Sequence, residues 1–334
     1  MEMNRPDTPL VDAFHRPVNY LRLSVTDRCN LRCRYCAPSM PKRLALENQL
    51  TTEEILRLVG IGTGIGITKI RLTGGEPLIR PGLANLVKQL REIPGIQDIS
   101  LTTNGTMLAA KSAALKTAGL RRINISLDSL DRERFRQLTG FDLFPEVWKG
   151  IMASADVGFD PVKINTVVMK DFNGDEIEAL AGLSLRYPFH VRFIEYMPIG
   201  TDPASARRHF MSMEEIEGRL SRMGRLIPVS PDKNDGPAAR YRFEGAPGEI
   251  GLIGSMSRHF CGTCNRMRLT AGGCLRPCLL SETQVDVLTP LRAGAADEEI
   301  AALFVRALSQ KKNAHGMGFT RTQILPTKMV SIGG

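Results

Sequence analysis

Six short β-rich runs, separated by segments with helical patterns, constrain the fold of this chain more than any other feature of its sequence. Most of them begin roughly 25–40 residues apart, a spacing typical of strand–helix units. The runs cover residues 20–26, 69–73, 98–103, 122–128, 162–169 and 190–196. This alternation predicts an α/β fold with a parallel sheet, either doubly wound or barrel-like.

Polar and apolar residues alternate along these runs, whereas parallel strands covered on both faces normally read as continuous apolar segments. In the first run, Leu21 and Leu23 alternate with Arg22 and Ser24. One face can therefore pack under helices while the other lines a wet or charged space. A barrel lumen of this kind would suit a polyanionic ligand, and an antiparallel sheet with one solvated face is the alternative. The basic residues on the polar face are Arg22, Lys69, Arg71 and Lys163.

The positions of helical segments, and a change near residue 225 from strand–helix alternation to short strand-like pieces, indicate how the chain is organised into domains. Residues 51–59 open with a capping box of Thr51 and Glu54, and residues 81–92 and 131–138 also have helical patterns. From about residue 225, short strand-like pieces follow one another with Gly and Pro between them. They cover 225–229, 239–244, 249–253, 267–270 and 285–288, and an amphipathic helix follows over 297–311. We predict a barrel domain over residues 1–225 and a smaller region over 226–334.

Composition narrows the class of protein without identifying it. Among 334 residues, 44 Lys and Arg against 35 Asp and Glu give a net charge of +9. Such a balance favours an anionic partner, although it is also compatible with a solvated basic surface. The longest uncharged run, residues 99–110, has 12 residues, and a membrane helix needs about 18. With no signal peptide visible, we expect a cytoplasmic protein without a membrane partner.

The seven cysteines fall into two tight groups, at residues 29–36 and 261–278, and such groups are typical of metal sites. The first group is Cys29-x3-Cys33-x2-Cys36, directly after the first predicted strand. Three thiolates on one loop can hold three corners of a [4Fe–4S] cluster, which leaves one iron open to a small molecule. A closed zinc site would need a fourth ligand, and no His lies nearby.

The first cysteine group resembles the motif of the radical S-adenosylmethionine superfamily. A second motif, Thr73-Gly74-Gly75-Glu76-Pro77, follows the second strand and is similar to the superfamily segment that binds the methionine amino group. The resemblance implies a partial (β/α)6 TIM-type barrel of the α/β class, with a smaller C-terminal region for an auxiliary cluster. It also implies that S-adenosylmethionine contacts Tyr35, Gly75, Glu76, Ser126 and Met197.

A third motif, Cys261-x2-Cys264-x13-Cys278, lies within an Arg-His-Phe-Cys-x-x-Cys-Asn-Arg-x-Arg stretch. Together with the terminal Ile332-Gly333-Gly334, it resembles the GTP 3′,8-cyclase family of molybdenum cofactor biosynthesis. The resemblance implies a second [4Fe–4S] cluster whose open iron faces the substrate guanine. It assigns catalytic roles to Arg22, Gly333 and Gly334, and GTP binding to Arg22, Arg71, Thr102, Lys163, Arg266 and Arg268, with Lys69 and Arg192 as additions.

The implied activity is a radical cyclisation of GTP, the first step of molybdopterin synthesis. In this family a 5′-deoxyadenosyl radical removes the ribose 3′ hydrogen, and the carbon radical then attacks guanine C8. The product is (8S)-3′,8-cyclo-7,8-dihydroguanosine 5′-triphosphate, which passes to cyclic pyranopterin monophosphate synthase. The resemblance further implies an electron donor and a homodimer, and no nucleic-acid partner.

Cys274 departs from the family pattern, because a residue other than Cys is usual at this position. If it is a ligand, the second group becomes Cys-x2-Cys-x9-Cys-x3-Cys, which suits zinc or a closed cluster that could not bind guanine. Two other functions remain open. One is a peptide-modifying maturase with the same cysteine layout. The other is a zinc-ribbon nucleic-acid binder, which should interleave basic residues with aromatics, although the chain has one Trp and five Tyr.

Overall fold

The computed structural model describes residues 10–36, 43–201, 203–230, 236–317 and 329–333. Within these ranges, twelve strands form one sheet in the order β12-β11-β10-β1-β2-β3-β4-β5-β6-β9-β8-β7. The strands are β1 (Tyr20–Ser24), β2 (Lys69–Thr73), β3 (Asp98–Thr103), β4 (Arg122–Ser126), β5 (Val162–Val168), β6 (His190–Glu195), β7 (Leu226–Pro228), β8 (Ala239–Phe243), β9 (Glu249–Ile253), β10 (Arg266–Leu269), β11 (Cys274–Arg276) and β12 (Val285–Asp286).

Helices follow each of the first six strands, so that β1–β6 form six successive β/α units. The helices are α1 (Thr52–Gly64), α2 (Leu83–Glu92), α3 (Leu108–Thr117), α4 (Arg132–Thr139), α5 (Phe144–Asp156), α6 (Ile177–Arg186), α7 (Pro203–His209), α8 (Met213–Ser221), α9 (Leu288–Arg292), α10 (Asp297–Ser309) and α11 (Met329–Ile332). The predicted α/β class is confirmed, and a partial (β/α)6 barrel is consistent with this order.

The central strands of the sheet run parallel, and the edges are antiparallel. Strands β1 to β6 pair in parallel in chain order, as in the register of Arg22 with Arg71. The alternative of an antiparallel sheet is therefore wrong for these strands. Two strands from the C-terminal region continue the parallel arrangement, since β10 pairs with β1 and β9 pairs with β6. The boundary near residue 225 stays a prediction, and the C-terminal region extends the barrel sheet at both ends.

Local signals account for where the helices begin. The capping box of α1 forms as predicted, with the Thr51 N–H donating to Glu54 Oε2 at 2.8 Å and the Glu54 N–H donating to Thr51 Oγ1 at 3.2 Å. The side chain of Asp131 caps α4 by accepting from the Arg134 N–H at 2.7 Å. The sequence did not predict α3, α5 or β11.

The apolar face of the strands packs under the helices. Leu21, Leu23, Ile70 and Leu72 are fully buried and belong to one hydrophobic cluster with residues of α1 and α2 such as Ile55. This burial is the main stabilising contribution to such a core. The polar residues between them are thereby directed to the opposite face of the sheet. In the part of the chain that the structure describes, no helix has the length and apolar character to cross a membrane.

Candidate active site

The first cysteine loop follows β1 and is held against the Gly-Gly segment that follows β2. The N–H of Gly75 donates to Thr26 O at 2.8 Å, and the N–H of Glu76 donates to Arg28 O at 2.7 Å. A Cβ on Gly75 would lie 2.1 Å from Arg28 O, and one on Gly74 would lie 2.4 Å from Thr26 O. The glycines are therefore required because the backbone of the cysteine loop runs directly against them.

The three thiols of this loop lie close enough to influence one another's ionisation. Burial raises the pKa of Cys29, raises that of Cys33 well above its usual range and raises that of Cys36 to about 12. The neighbouring thiols add to the shifts of Cys33 and Cys36, as does Asp128. Three cysteines gathered on one half-buried loop fit the three-thiolate binding of a [4Fe–4S] cluster.

Glu76 is fully buried and its carboxylate is already engaged by protein donors. Its Oε1 accepts from the Thr103 hydroxyl at 2.6 Å and from the Leu78 N–H at 3.0 Å, and its Oε2 accepts from the Asn104 N–H at 2.7 Å. Burial nevertheless outweighs these hydrogen bonds and raises the pKa of Glu76 to about 6. The residue thus fastens the Gly-Gly segment to the end of β3.

The other residues predicted to contact S-adenosylmethionine lie around the same end of the strands. The Tyr35 hydroxyl donates to Asp128 Oδ2 at 2.8 Å, and burial raises the pKa of Asp128 to about 6. Ser126 ends β4, in register with Asn165 of β5. Met197 follows β6 and packs in a cluster that also holds Cys278.

A row of arginines crosses neighbouring strands on the polar face. Arg22 of β1 is in register with Arg71 of β2 on one side and with Arg268 of β10 on the other. Arg192 of β6 donates to Asn124 of β4 across the intervening strand, so that side chains of strands that are not adjacent meet over this face. The basic lumen predicted from strand alternation is therefore present at the level of this row.

The arginine row places like charges together out of water. Burial, and then the positive charges of Arg268 and Arg71, lower the pKa of Arg22 well below its usual range. Burial, followed by the charge of Arg266, lowers the pKa of Arg268 to about 9. Buried cations that repel one another are stabilised by an anion between them. Lys163 and Lys69, also buried, lie on the same face of β5 and β2.

Three side-chain oxygens of Thr and Asn that are buried on this face have no hydrogen-bond partner among the described residues. They are Oγ1 of Thr73, Oγ1 of Thr102 and Oδ1 of Asn165. Buried polar groups are nearly always hydrogen-bonded, so an orphan cluster on one face needs a polar ligand or water. Together with the arginine row, these atoms suit a ligand that is both anionic and rich in donors and acceptors.

The second cysteine group lines a cavity of about 430 Å³. Cys261, Cys264 and Cys278 all reach it, as does Lys311. Burial opposes ionisation of the Cys264 thiol, but the charges of Arg266 and Lys311 outweigh it and lower its pKa to about 6. Three thiols around one space of this size fit a second [4Fe–4S] cluster with an open iron.

Cys274 lies in β11, away from that cavity, whose lining does not include it. Its N–H donates to Thr270 Oγ1 at 2.9 Å, and burial, followed by the charge of Asp286, raises the pKa of its thiol. These contacts favour the interpretation of Cys274 as a bystander. Within the described ranges, no group of three or more His, Cys, Asp or Glu side chains is arranged to hold a single metal ion.

The two cysteine groups lie at opposite ends of the lumen. Cys29 follows the carboxyl end of β1, whereas Cys264 precedes the amino end of β10, which runs parallel to β1. Cys278 follows β11, which is antiparallel to β10, and it therefore lies at that same amino end. At about 3.3 Å per residue, a five-residue strand separates the two ends by roughly 15 Å. The arginine row lies between them.

The C-terminal segment reaches both the first cysteine group and the arginine row. The Gly333 carbonyl accepts from Arg268 Nη1, and the Val330 N–H donates to the Cys36 thiol. Gly333 has a φ of 72°, and a Cβ there would lie 2.5 Å from Thr73 Oγ1. A side chain is thus excluded both by backbone conformation and by space. Gly334 lies outside the described residues.

Several residues of the site escaped the sequence analysis. Arg276 of β11 is in register with Arg268 and extends the arginine row to a fourth strand. Lys311 and Arg16 contact the second cysteine group, and Asp128 contacts Tyr35. Strand alternation could have identified Arg276 had β11 been recognised, but isolated basic residues such as Arg16 carry no local signal.

Family models divide the chain in agreement with this architecture. Residues 23–183 match the model of the Radical SAM superfamily, and residues 189–317 match that of Molybdenum Cofactor Synthesis C. Among solved structures, Streptococcus suis SuiB bound to precursor peptide SuiA has a TM-score of 0.61 at 16% identity, over 90% of this chain and 66% of that one. Native anSMEcpe with bound AdoMet has a TM-score of 0.55 at 16% identity, over 89% and 81%. These structures establish the fold alone.

Curated relatives match nearly the whole chain. A GTP 3′,8-cyclase of Moorella thermoacetica is 49% identical over 97% of this chain and 99% of its own length. Another from Pelotomaculum thermopropionicum is 47% identical over 92% and 95%. The two family models together with the two cysteine groups account for two [4Fe–4S] clusters and S-adenosylmethionine as cofactors. The resemblance found in the sequence is confirmed, and the chain belongs to the GTP 3′,8-cyclase family of the radical S-adenosylmethionine superfamily.

Proposed function

We propose that this chain cyclises GTP to (8S)-3′,8-cyclo-7,8-dihydroguanosine 5′-triphosphate, with the lumen between the two cysteine groups as the reaction chamber. The observation that carries the proposal is the arginine row of Arg22, Arg71 and Arg268, which lies on the polar face between the two groups. A nucleoside triphosphate supplies the negative charge that these buried cations need, and it is long enough to bridge roughly 15 Å.

Different residues would bind different parts of the substrate. When bound, the reduced cluster at Cys29, Cys33 and Cys36 and S-adenosylmethionine supply the organic radical that removes a hydrogen atom from the ribose. Arginine forks match phosphate oxygens, and Lys163 lies within the same buried face. The orphan hydroxyl of Thr102 can bind the sugar or the base, since a hydroxyl both donates and accepts.

The tail would close the chamber beside the substrate. The carbonyl of Gly333 holds the Arg268 guanidinium, and Val330 contacts Cys36 of the first group. The tail thereby extends from the first cysteine group to the arginine row and helps exclude water, which a primary carbon radical requires. Gly333 and Gly334 act in this proposal as positioning residues, with Arg22 directed at the substrate.

The partners follow from the reaction. The cyclised nucleotide is the substrate for cyclic pyranopterin monophosphate synthase, and an external electron donor reduces the clusters. A homodimer and a cytoplasmic location belong to the same proposal and rest on the family resemblance.

An anaerobic assay tests the proposal directly. The reconstituted protein is incubated with GTP, S-adenosylmethionine and dithionite, and both 5′-deoxyadenosine and nucleotide products are measured. We expect 5′-deoxyadenosine together with a cyclised nucleotide, and an Arg22→Ala variant should lose the nucleotide product. The proposal fails if GTP remains unchanged while a peptide substrate is modified.

A further inference from the structure

Lys311, which follows α10, is buried against the second cysteine group. Only 4% of the residue is exposed, and its Nζ lies 3.5 Å from the Cys264 sulfur. The same ammonium donates to Arg266 O and, at 3.2 Å, to Pro277 O. It thus contacts the segments that carry Cys264 and Cys278, one on each side of the cavity.

Two features make this position unusual for a lysine. Lysine is rarely buried unless its charge is paired, and here the atom beside the ammonium is a sulfur that must be a thiolate to bind iron. The next residue, Lys312, also lines the cavity but has an exposed side chain, so that of these two successive lysines only Lys311 is buried against the cysteine group. Burial lowers the pKa of Lys311, and Cys264 and Cys278 oppose that shift.

A fixed cation beside a cluster ligand alters the energy of the cluster's two oxidation states. Reduction adds one negative charge to the cluster, and a nearby ammonium stabilises the reduced state more than the oxidised state. Net charge and hydrogen bonds to the sulfurs are among the factors that set iron–sulfur potentials. A hydrogen bond to the ligand sulfur acts in the same direction, because it withdraws electron density from the thiolate.

We propose that Lys311 is a positioning residue that raises the reduction potential of the second cluster through its charge on Cys264. The proposal deepens the proposed function and rests on the second cluster that it requires. Arg16 has a different part, because its guanidinium donates to Cys261 O at 2.6 Å and Lys312 O at 2.8 Å and does not donate to a sulfur among the described contacts. Arg16 therefore only holds the loop in place, whereas Lys311 holds the loop and also places a positive charge beside the Cys264 sulfur.

The test is a redox titration of the second cluster followed by electron paramagnetic resonance. All variants are made in a full-length background in which Cys29, Cys33 and Cys36 are replaced by Ala, so that the second cluster alone contributes the signal. Lys311→Met should retain about four iron atoms per chain. Its reduction equilibrium should become at least tenfold less favourable, which is about 59 mV for a one-electron couple. Lys311→Arg should keep most of the wild-type potential, and Lys312→Met, which removes an exposed charge that solvent screens, should shift the potential much less than Lys311→Met does.

None of these measurements uses GTP. Their outcomes therefore do not depend on whether the chain cyclises the nucleotide. A Lys311→Met protein with its cluster intact at the wild-type potential overturns the proposal, as does an equal shift in Lys311→Arg. If Lys311→Met loses its iron, Lys311→Gln takes its place, because the amide keeps a donor for the two carbonyls. Iron loss in Lys311→Gln as well would show that the ammonium retains the cluster rather than tunes its potential, and this would overturn the proposal. A Lys311→Gln protein that keeps its iron is titrated and judged as Lys311→Met would be.

Discussion

The two cysteine groups lie in opposite electrostatic settings. Burial and carboxylates such as Asp128 raise the pKa of the thiols in the first group. In the second group Arg266 and Lys311 lower the pKa of Cys264, while burial raises the pKa of Cys261. The first setting suits a cationic sulfonium and the second suits a nucleotide, which is anionic. The difference teaches that two groups of three cysteines are specialised by the charges around them as well as by the spacing of the cysteines.

The means by which each group is held also differs. Backbone hydrogen bonds from Gly75 and Glu76 fasten the first loop, whereas long side chains, Arg16 and Lys311, fasten the second. Backbone pairing depends on the residues within one short motif. Attachment through side chains depends on residues that are distant along the chain, so that no short sequence motif marks it.

Replacing a cysteine of the first group should have the largest effect, because it should change both the iron content and the cleavage of S-adenosylmethionine. A Cys29→Ala, Cys33→Ala or Cys36→Ala variant should lose about four iron atoms and all cleavage of S-adenosylmethionine, because each removes one of three cluster ligands. Cys278→Ala should also lose about four iron atoms but retain cleavage. Iron analysis and 5′-deoxyadenosine measurement distinguish the two groups. Wild-type cleavage in any of the first three variants would contradict the assignment.

Gly75→Ala should remove the first cluster almost as completely. Its new Cβ would lie 2.1 Å from Arg28 O, so that the cysteine loop must leave the Gly-Gly segment. The matched control is Gly60→Ala in α1, where no heavy atom lies within 4 Å of the new Cβ. There the change should be neutral or stabilise the fold by about 0.5–1 kcal/mol. Equal iron content in both variants would show that the close approach does not matter.

Deleting residues 333–334 should impair the conversion of GTP while leaving the cleavage of S-adenosylmethionine intact. The Gly333 carbonyl holds Arg268, so its loss should reduce conversion of GTP at least tenfold, whereas iron content and thermal stability stay close to wild type because the residue packs little area. Cleavage of S-adenosylmethionine should persist. Measuring 5′-deoxyadenosine and cyclised nucleotide in the same reaction decides the point. A truncated protein with normal product yield would mean that the tail is passive.

Arg266→Ala and Arg268→Ala should each weaken GTP binding ~10–150-fold, since hydrogen bonds to charged groups contribute ~1.5–3 kcal/mol. Both clusters should remain, as judged by iron content. Arg132→Ala is the control, because Arg132 lies exposed on α4 in an ion pair with Asp142. Isothermal titration with GTP under anaerobic conditions measures the affinities. Unchanged affinity in both test variants would exclude Arg266 and Arg268 from substrate binding.

Cys274→Ser should have the smallest effect. Its thiol lies outside the lining of the second cavity, so iron content and cluster potential should match wild type. Cys278→Ser serves as the contrast and should lose about four iron atoms. A loss of iron in Cys274→Ser would make the second cluster four-ligated and closed, and binding of guanine at an open iron would then be impossible.

Local patterns predicted most of the barrel. The strand over residues 69–73 and the one over 98–103 have the bounds that the sequence predicted, because apolar alternation and β-branched residues act within a few positions. The capping box of Thr51 and Glu54 formed for the same reason. The three-residue strand β11 was missed, since three residues between two glycines and a proline carry too little periodic signal.

Some residues of the candidate site could likewise be predicted from local patterns, and others could not. Arg22, Arg71 and Lys163 could be inferred from strand parity before the fold was known, because parity fixes the face of a strand. Arg276 and Lys311 could not. Their places depend on which strand pairs with β10 and on where the chain runs after α10, and neither is encoded in the neighbouring residues.

The sequence by itself determined the strands, the polar face and the identity of the two cysteine groups, because each depends on spacing within one short segment. Only the tertiary structure decided what surrounds those groups. Arg16 meets Cys261 across 245 positions of the chain, and Gly333 meets Arg268 across 65. Such contacts exist because β10 pairs with β1 and thereby brings the two halves of the chain to one lumen. The physical reason is that side-chain packing and charge act over a few ångströms in space, irrespective of distance along the chain.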